Sequence, residues 1–198
     1  GNLLFYTDRL KIWNSNHQVV ANIQTLTNNT YYTFGQQQYF IRNPGNPNQY
    51  FLIGRYQNYS PSVNHFSLGY ITLDLTINGG IGGGLPGFTT LLDSISIHSA
   101  GTLHANGKDY WAVGRKEGTN EYYSFQITPT GVLPPVVSTA GPAWVGNLIW
   151  QSNGMIFSPN GEKIAMTAPV LSNEINERWT MSFSMPSKYS METLPKPK

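Results

Sequence analysis

The sequence contains no cysteine, which excludes disulfide bonds, thiolate nucleophiles and cysteine-ligated metal sites. Charged residues are also scarce, since they make up 11% of the 198 residues, against about 25% in typical soluble proteins. The net charge of +2 comes from scattered Lys and Arg side chains, so the basic footprint of a nucleic-acid-binding protein is missing. The chain also lacks any apolar run of the roughly 18 residues that a membrane-spanning helix needs.

What the sequence does contain suits a folded β protein. Hydrophobic residues make up 39% of the chain and aromatic residues 13%, which is enough for a packed core. Asn, Gln, Ser, Thr and Tyr supply most of the polar surface, a bias common in extracellular β proteins. The chain begins at Gly1 without an initiator Met or a signal-like apolar segment, and we interpret it as a fragment or a processed product.

The composition changes near residue 162. All 20 glycines lie at or before Gly161, whereas all five methionines lie at or after Met155. Charged residues number 13 in positions 1–161 and nine in the much shorter stretch 162–198. This change predicts two segments, 1–161 and 162–198, with a boundary between them.

The first segment consists of short aromatic and β-branched runs separated by turn signals, the pattern typical of β-strands. No amphipathic helix pattern occurs before residue 160. The Asn153-Gly154 pair between two apolar runs is a strong two-residue turn signal. The expected strands are Leu3–Asp8 paired with Lys11–Asn16, then Gln49–Gln57 and Ser67–Ile77, and Asp109–Lys116 paired with Glu121–Thr128.

A weak internal repeat organises these runs. The sequence "NPNQYF" at 46–51 resembles "NGKDYW" at 106–111, and "NGEKIA" at 160–165 holds an equivalent place, at intervals of 60 and 54 residues. Each unit has room for about four short strands, which is one propeller blade. The repeat predicts an all-β fold: an incomplete β-propeller-like array of about three antiparallel blades, with a short C-terminal β segment. A β-sandwich is the alternative, but a sandwich does not require a repeat.

Several of these stretches carry a resemblance to a known group of proteins. The runs "GNLLFYTDRLKIWNSNHQVV", "LHANGKDYWAV" and "FSPNGEKIA" resemble the propeller-type repeats of large secreted surface proteins of Bacteroidetes. The resemblance covers most of residues 1–165 and implies a secreted or cell-surface location, linked to gliding motility or type IX secretion. Arg9-Leu10 stand where such repeats usually have a Gly turn. A closed propeller needs about four to eight blades, so three blades imply part of a larger array.

The second segment resembles a different family. "KIAMTAPV" followed by "WTMSFSMPSKYSMETLPKP", within Lys163–Lys198, is similar to the SOUL haem-binding proteins. The resemblance implies two strands, "KIAMTAPV" and "RWTMSFSMP", taken from a longer α+β barrel-like fold. Haem iron is usually bound by His, Cys, Met or Tyr, but residues 163–198 contain no His and no Cys. Their Met residues alternate along the strands and are expected to pack a core, so we expect no cofactor, haem included.

No set of residues predicts catalysis or metal binding. The four histidines, at positions 17, 65, 98 and 104, form no metal-binding motif, and His104 is expected to hydrogen-bond within its own blade. The glycine run Asn78–Gly87 has no Lys and leads into a strand pattern, so we interpret it as a flexible loop between blades rather than a phosphate-binding loop. Asp74 and Asp109 read as turn or strand-edge residues. The sequence therefore predicts a non-enzymatic protein.

Aromatic residues supply the candidate contact surface. Tyr and Trp rings are a common means of binding glycans and proteins. Ordinary packing of strand aromatics between blades is the alternative reading. The candidate residues are Tyr31, Tyr32, Tyr56, Tyr59 and Trp144, together with Tyr39.

These features lead to one functional hypothesis and three alternatives. The leading hypothesis is a secreted or cell-surface scaffold or binding module that contacts a protein or a glycan, with neither nucleic acid nor a membrane span involved. The alternatives are a truncated SOUL-type tetrapyrrole-binding protein, an enzyme of the kind that propellers host, and a chimeric sequence with no single function.

Overall fold

The computed structural model describes residues 3–8, 10–26, 38–60, 63–141, 143, 154–169, 178–184 and 192–193. For 57–60, 63–65, 97, 167–169, 178–184 and 192–193 it describes the backbone alone. The chain divides into two compact units, Gly1–Ser94 and Ile95–Lys198. The described strands pair antiparallel, and no described helix is long and apolar enough to cross a membrane.

The first unit begins with a three-stranded sheet, sheet A. Its hairpin turns at Asp8, whose Oδ1 accepts the N–H groups of Leu10 and Lys11, both at 2.8 Å. The expected pairing of the first two strands is confirmed. The elements, in chain order, are β1 (Phe5–Thr7), β2 (Lys11–Asn14), β3 (Val19–Asn22) and the single-turn helix α1 (Ile23–Leu26).

Sheet B completes the first unit. Its strands are β4 (Tyr39–Arg42), β5 (Gln49–Ser60), β6 (Val63–Asp74), β7 (Gly83–Gly84) and β8 (Thr89–Leu92). The strand order is β4–β5–β6–β7, and β8 pairs with β6 as well. β5 and β6 form a long hairpin that extends beyond the two expected runs at the turn between them.

The core of the first unit lies between sheets A and B. Strand alternation places Phe5 and Ile12 on the inner face of sheet A. They belong to one buried cluster with Leu52, Ile71 and Leu73 of sheet B. Burying several large aliphatic side chains, each worth about 1.5–3 kcal/mol, holds the two sheets together.

The second unit contains sheets C and D. Sheet C consists of β9 (Ile95–Leu103), β10 (Tyr110–Lys116), β11 (Glu121–Thr128), β12 (Gly131–Val132) and β13 (Val136–Thr139). Sheet D consists of β14 (Met155–Phe157), β15 (Lys163–Pro169), β16 (Arg178–Ser184) and β17 (Glu192–Thr193). The expected β10–β11 hairpin and the two expected C-terminal strands, β15 and β16, are confirmed.

Sheets B and C share one architecture. In sheet C the order is β9–β10–β11–β12 with β13 also on β11, which repeats the branched order of sheet B strand for strand. The turns repeat as well, because Asn43, His104 and Ser158 each donate a backbone N–H to the carbonyl of Gln49, Asp109 and Lys163 respectively, at 2.8–2.9 Å. The three carbonyl residues, Gln49, Asp109 and Lys163, are 60 and 54 residues apart, the intervals expected from the sequence.

The expected boundary near residue 162 falls inside a sheet. Gly161 lies in the turn between β14 and β15, which pair with each other from Met155–Met166 to Phe157–Ile164. The division into segments 1–161 and 162–198, which the change in composition predicts, therefore stays a prediction. The two compact units of the structure divide at a different place, between Ser94 and Ile95. The Asn153 half of the expected Asn153-Gly154 turn lies outside the described residues.

Candidate binding surface

Most of the expected contact residues cannot be placed on a surface. Tyr31, Tyr32 and Trp144 lie outside the described residues, and for Tyr59 the description covers only the backbone, within β5. Tyr56 is fully described and is 0% exposed. The expectation that Tyr56 forms part of a contact surface is therefore wrong.

Tyr56 is buried because β5 is covered on both faces. Its ring meets Phe88 edge-on at 4.5 Å between centroids, and its hydroxyl donates to the Leu52 carbonyl at 3.1 Å. Burial raises the pKa of this phenol well above its usual value. The hydroxyl of Tyr39, on β4, is also buried, and burial raises its pKa too, with the nearby Tyr56 adding to the shift.

The outer face of sheet A instead presents a pair of stacked rings. Alternation along β1 and β2 turns Tyr6 and Trp13 away from the core, since their neighbours Phe5 and Ile12 point inward. The two rings are directly opposite in register, 5.2 Å apart and only 10° from parallel. Both side chains are half-buried, so each keeps some surface in contact with solvent.

His17 completes this cluster from the next turn. Its ring meets Tyr6 edge-on at 5.7 Å, and Nδ1 lies 2.8 Å from the Tyr6 hydroxyl. The backbone of His17 has φ of 60°, a left-handed conformation that non-glycine residues rarely adopt. Asn14 shapes the turn, because its Oδ1 accepts the N–H groups of Asn16 and Gln18, both at 3.0 Å. Tyr6, Trp13 and His17 are called the sheet A aromatic cluster below.

Aromatic residues at positions equivalent to Trp13 occur in sheets B and C, with ring partners in different places. Trp13, Phe51 and Trp111 each lie two residues after the carbonyl that closes the preceding turn. The ring centroids of Phe51 and Tyr70 are 4.6 Å apart, and those of Trp111 and His104 are 5.6 Å apart. This position relative to the "NGKDYW"-like turn is the sequence signal that could have located the outward aromatics.

His104 has the local role expected for it. Its Nδ1 accepts the backbone N–H of Asn106 at 3.0 Å, so the side chain shapes its own turn. The prediction of a hydrogen bond within the repeat is confirmed. His98, by contrast, is buried in β9, with Nδ1 3.3 Å from the Ser96 hydroxyl.

The aspartates serve turns and strands. Asp8 and Asp74 accept backbone N–H groups of the turns that follow them. Asp109 accepts two side-chain amides, and Asp93 accepts the Ser67 hydroxyl at 2.7 Å. The expected turn and strand-edge roles of Asp74 and Asp109 are confirmed. Within the described residues no group of three or more His, Asp or Glu side chains is placed to hold a metal ion.

The glycine run is more ordered than a plain loop. Asn78–Gly80 forms a 3-10 turn, and Gly83–Gly84 pairs with Leu73 and Asp74 as β7. The interpretation as a loop is therefore correct only in part. The strand β8 follows the run, so the helix N-terminus that a phosphate-binding loop requires is not found at this place in the described chain.

Comparison with known proteins gives one partial match. Residues 150–198 match a family model described as SOUL heme-binding protein, which covers 49 of the 198 residues and begins before the expected Lys163. The chain has no significant match among curated proteins or among solved structures. The resemblance of residues 1–165 to secreted Bacteroidetes repeats therefore stays a prediction.

The described part of the match contains two methionine side chains. Its thioethers, Met155 and Met166, lie opposite each other on β14 and β15, 6% and 1% exposed. Both belong to the buried cluster of the second unit, and the Met166 sulfur accepts a hydrogen bond from the Tyr122 hydroxyl at 3.8 Å. These two side chains therefore pack a core, the role that the sequence predicted for the methionines of residues 163–198, Met166 among them.

Proposed function

We propose that the chain is a non-enzymatic scaffold or binding module, built from propeller-type repeats and belonging to a secreted or cell-surface protein. The observation that carries this proposal is the identical branched strand order of sheets B and C. Two sheets with the same branched strand order, each containing a similar hydrogen-bonded turn, are typical of a repeat architecture. Such architectures present contact residues on the loops and faces of a rigid framework.

The turn chemistry supports the repeat. In sheet B the Asn43 amide donates to Gln49, and Gln49 donates to the Asp74 carboxylate on β6. In sheet C the Asn106 amide and the Gln126 amide both donate to Asp109. Each network ties a turn to the following hairpin, although the residue types differ.

A binding screen of the intact chain tests the proposal. We expect a glycan array and a surface-protein panel, probed with the purified chain, to return at least one saturable ligand. A screen that returns no ligand, while circular dichroism shows the β fold intact, would contradict a binding role. Turnover of a hydrolase substrate panel would contradict the non-enzymatic part.

A second candidate function is tetrapyrrole binding, which the family match over residues 150–198 favours. A hemin titration followed at the Soret band distinguishes tetrapyrrole binding from the scaffold proposal. The scaffold proposal expects no saturable Soret shift. A saturable shift that survives Met166→Leu would place the ligand away from the packed core sulfur and would favour tetrapyrrole binding.

A further inference from the structure

We propose that the sheet A aromatic cluster binds a neutral oligosaccharide of equatorially substituted hexopyranoses. This inference rests on the proposed function and deepens it, because it names both a site and a ligand class. The cluster joins two stacked rings to an imidazole, on a face of sheet A that is not part of the core.

The rings of Tyr6 and Trp13 stack on each other, so the apolar surface left for the flat C–H face of such a sugar is the outer side of the stacked pair. Tyr6 and Trp13 stand side by side on adjacent strands. Leu4 and Val19 continue the same surface at 43% and 52% exposure. Tyr and Trp combine a large apolar ring with a polar end, which suits ligands that are apolar on one face and hydroxylated at the edge.

The polar part lies at the rim. His17 uses Nδ1 toward Tyr6, and the imidazole has a second hydrogen-bonding nitrogen, Nε2, on the other side of the ring. Asn16 and Gln18 on either side of it are exposed. Imidazole and carboxamide groups both donate and accept hydrogen bonds, as sugar hydroxyls do.

The turn holds the imidazole in place before any ligand arrives. The Asn14 side chain fixes the turn, and the left-handed backbone of His17 is a conformation that costs about 1–3 kcal/mol in a non-glycine residue. Glycine would relieve this cost. An exposed side chain kept at that cost and hydrogen-bonded to an outward ring is pre-organised for contact.

Charge and size favour a neutral saccharide over the other ligand classes. Tyr6, Trp13 and the residues flanking His17, Asn16 and Gln18, carry no formal charge. The charged residues of this part of the sequence, Asp8, Arg9 and Lys11, have a net charge of +1 and precede or begin β2, whereas His17 follows it. The cluster is two rings and an imidazole, far smaller than the roughly 800 Å² per partner of a standard protein interface.

The test uses the full chain with two probes, a β-1,4-linked glucose hexamer and a β-1,4-linked N-acetylglucosamine hexamer, in calorimetric titrations. We expect at least one hexamer to bind. Trp13→Ala should weaken that binding roughly tenfold or more. His17→Gly, which suits the local backbone and should fold, should weaken it severalfold. The matched control is Trp111→Ala, the equivalent ring of sheet C, which should leave the affinity within about twofold.

The outcomes separate this inference from the proposed function. Binding that Trp13→Ala and His17→Gly leave unchanged overturns the site, yet the chain remains a binding module. Failure of both hexamers overturns the ligand class, and a protein ligand found in the screen would leave the proposed function standing. If Trp13→Ala does not fold, the His17→Gly variant decides whether the hexamer binds at this cluster: weaker binding supports the site, and unchanged binding overturns it.

Discussion

The Tyr122 hydroxyl of β11 donates a hydrogen bond to the Met166 sulfur of β15 at 3.8 Å, linking sheets C and D inside the second unit. Both side chains are buried, at 0% and 1% exposure. The Arg115 guanidinium on the neighbouring strand lies 6.0 Å from the Tyr122 ring. The buried phenol therefore interacts with a second buried polar group, Arg115, as well as with the Met166 sulfur of the facing sheet.

Removing that hydroxyl should destabilise the protein. Tyr122→Phe keeps the ring but deletes a buried hydrogen bond, so we expect the free energy of unfolding to fall by about 1–2 kcal/mol. Urea unfolding followed by circular dichroism measures the change. Tyr123→Phe is the matched control, because the Tyr123 hydroxyl donates a hydrogen bond to the Glu121 carboxylate on a half-buried face. Its loss should lower the free energy of unfolding by only a few tenths of a kcal/mol, about 0.5 kcal/mol or less. Equal effects of the two variants would contradict a special role for the buried hydroxyl.

The same phenol predicts a loss of stability at alkaline pH. Burial raises the pKa of Tyr122 to about 12, partly opposed by the positive charge of Arg115. In the unfolded chain the phenol ionises near its usual value of about 10. Its contribution to stability is therefore full below pH 10 and is lost as the pH rises from 10 through 12.

Unfolding free energies measured from pH 8 to pH 12 should fall less steeply in Tyr122→Phe than in the unaltered chain. The variant retains the buried phenols of Tyr39 and Tyr56, whose pKa values burial also raises, so some alkaline loss remains. An identical slope in the two proteins would count against the raised pKa.

A close contact at Gly69 gives the next prediction. Gly69 pairs with Gly54 on β5, and a methyl group at Gly69 would overlap the Phe88 ring and the Thr89 carbonyl oxygen. Because one of these atoms belongs to the backbone, the overlap cannot be relieved by a side-chain rotation alone. We expect Gly69→Ala to destabilise the fold by about 1–3 kcal/mol.

Thermal unfolding of the Gly69→Ala variant measures this loss. The matched control is Gly154→Ala, where a methyl group would meet nothing within 4 Å and the backbone is not left-handed. The control should be neutral or slightly stabilising, by up to about 1 kcal/mol. If Gly69→Ala melts at the same temperature as the control, both the Phe88 ring and the backbone at Thr89 must be able to shift, which would contradict the prediction.

Asp74 predicts a loss of stability in acid. Hydrogen bonds from the Thr76 hydroxyl, and then from the Gln49 amide and the Thr76 N–H, lower the pKa of this carboxyl from its usual 3.8. A lowered pKa in the folded state contributes stability above the unfolded value, and that stability is lost as the pH falls below 3.8 through the folded value. Urea midpoints measured between pH 5 and pH 2 should therefore fall less steeply in Asp74→Asn than in the unaltered chain.

A residual acid slope should persist in Asp74→Asn. The pKa of Asp8 is also lowered, chiefly by the Lys11 N–H, and this carboxyl is unchanged in the variant. If the variant and the unaltered chain lost stability in parallel, the hydrogen bonds to Asp74 would not favour its charged form.

The sequence predicted hairpins better than it predicted exposure. The Asp109–Lys116 and Glu121–Thr128 runs were found because turn residues interrupt alternating apolar side chains, a signal that is local. The burial of Tyr56 depends on residues distant in the sequence. The side chains of Leu52 and Ile53, neighbours on β5, point to opposite faces of the sheet, yet both are 0% exposed. A strand covered on both faces gives no alternation from which to tell an outward ring from a buried one.

The repeat itself offers a comparison between two equivalent turns. Asn106 Oδ1 accepts the N–H groups of Lys108 and Asp109, both at 3.0 Å, and its amide donates to the Asp109 carboxylate at 2.9 Å. Asn46 accepts only the Asn48 N–H among its described side-chain bonds, at 3.0 Å. Because more bonds depend on Asn106, Asn106→Ala should lower the free energy of unfolding by about 1–2 kcal/mol and Asn46→Ala by about half as much. Urea unfolding of the two variants side by side measures the difference, and a larger loss from Asn46→Ala would mean that these side-chain bonds do not determine how strongly each turn holds its hairpin.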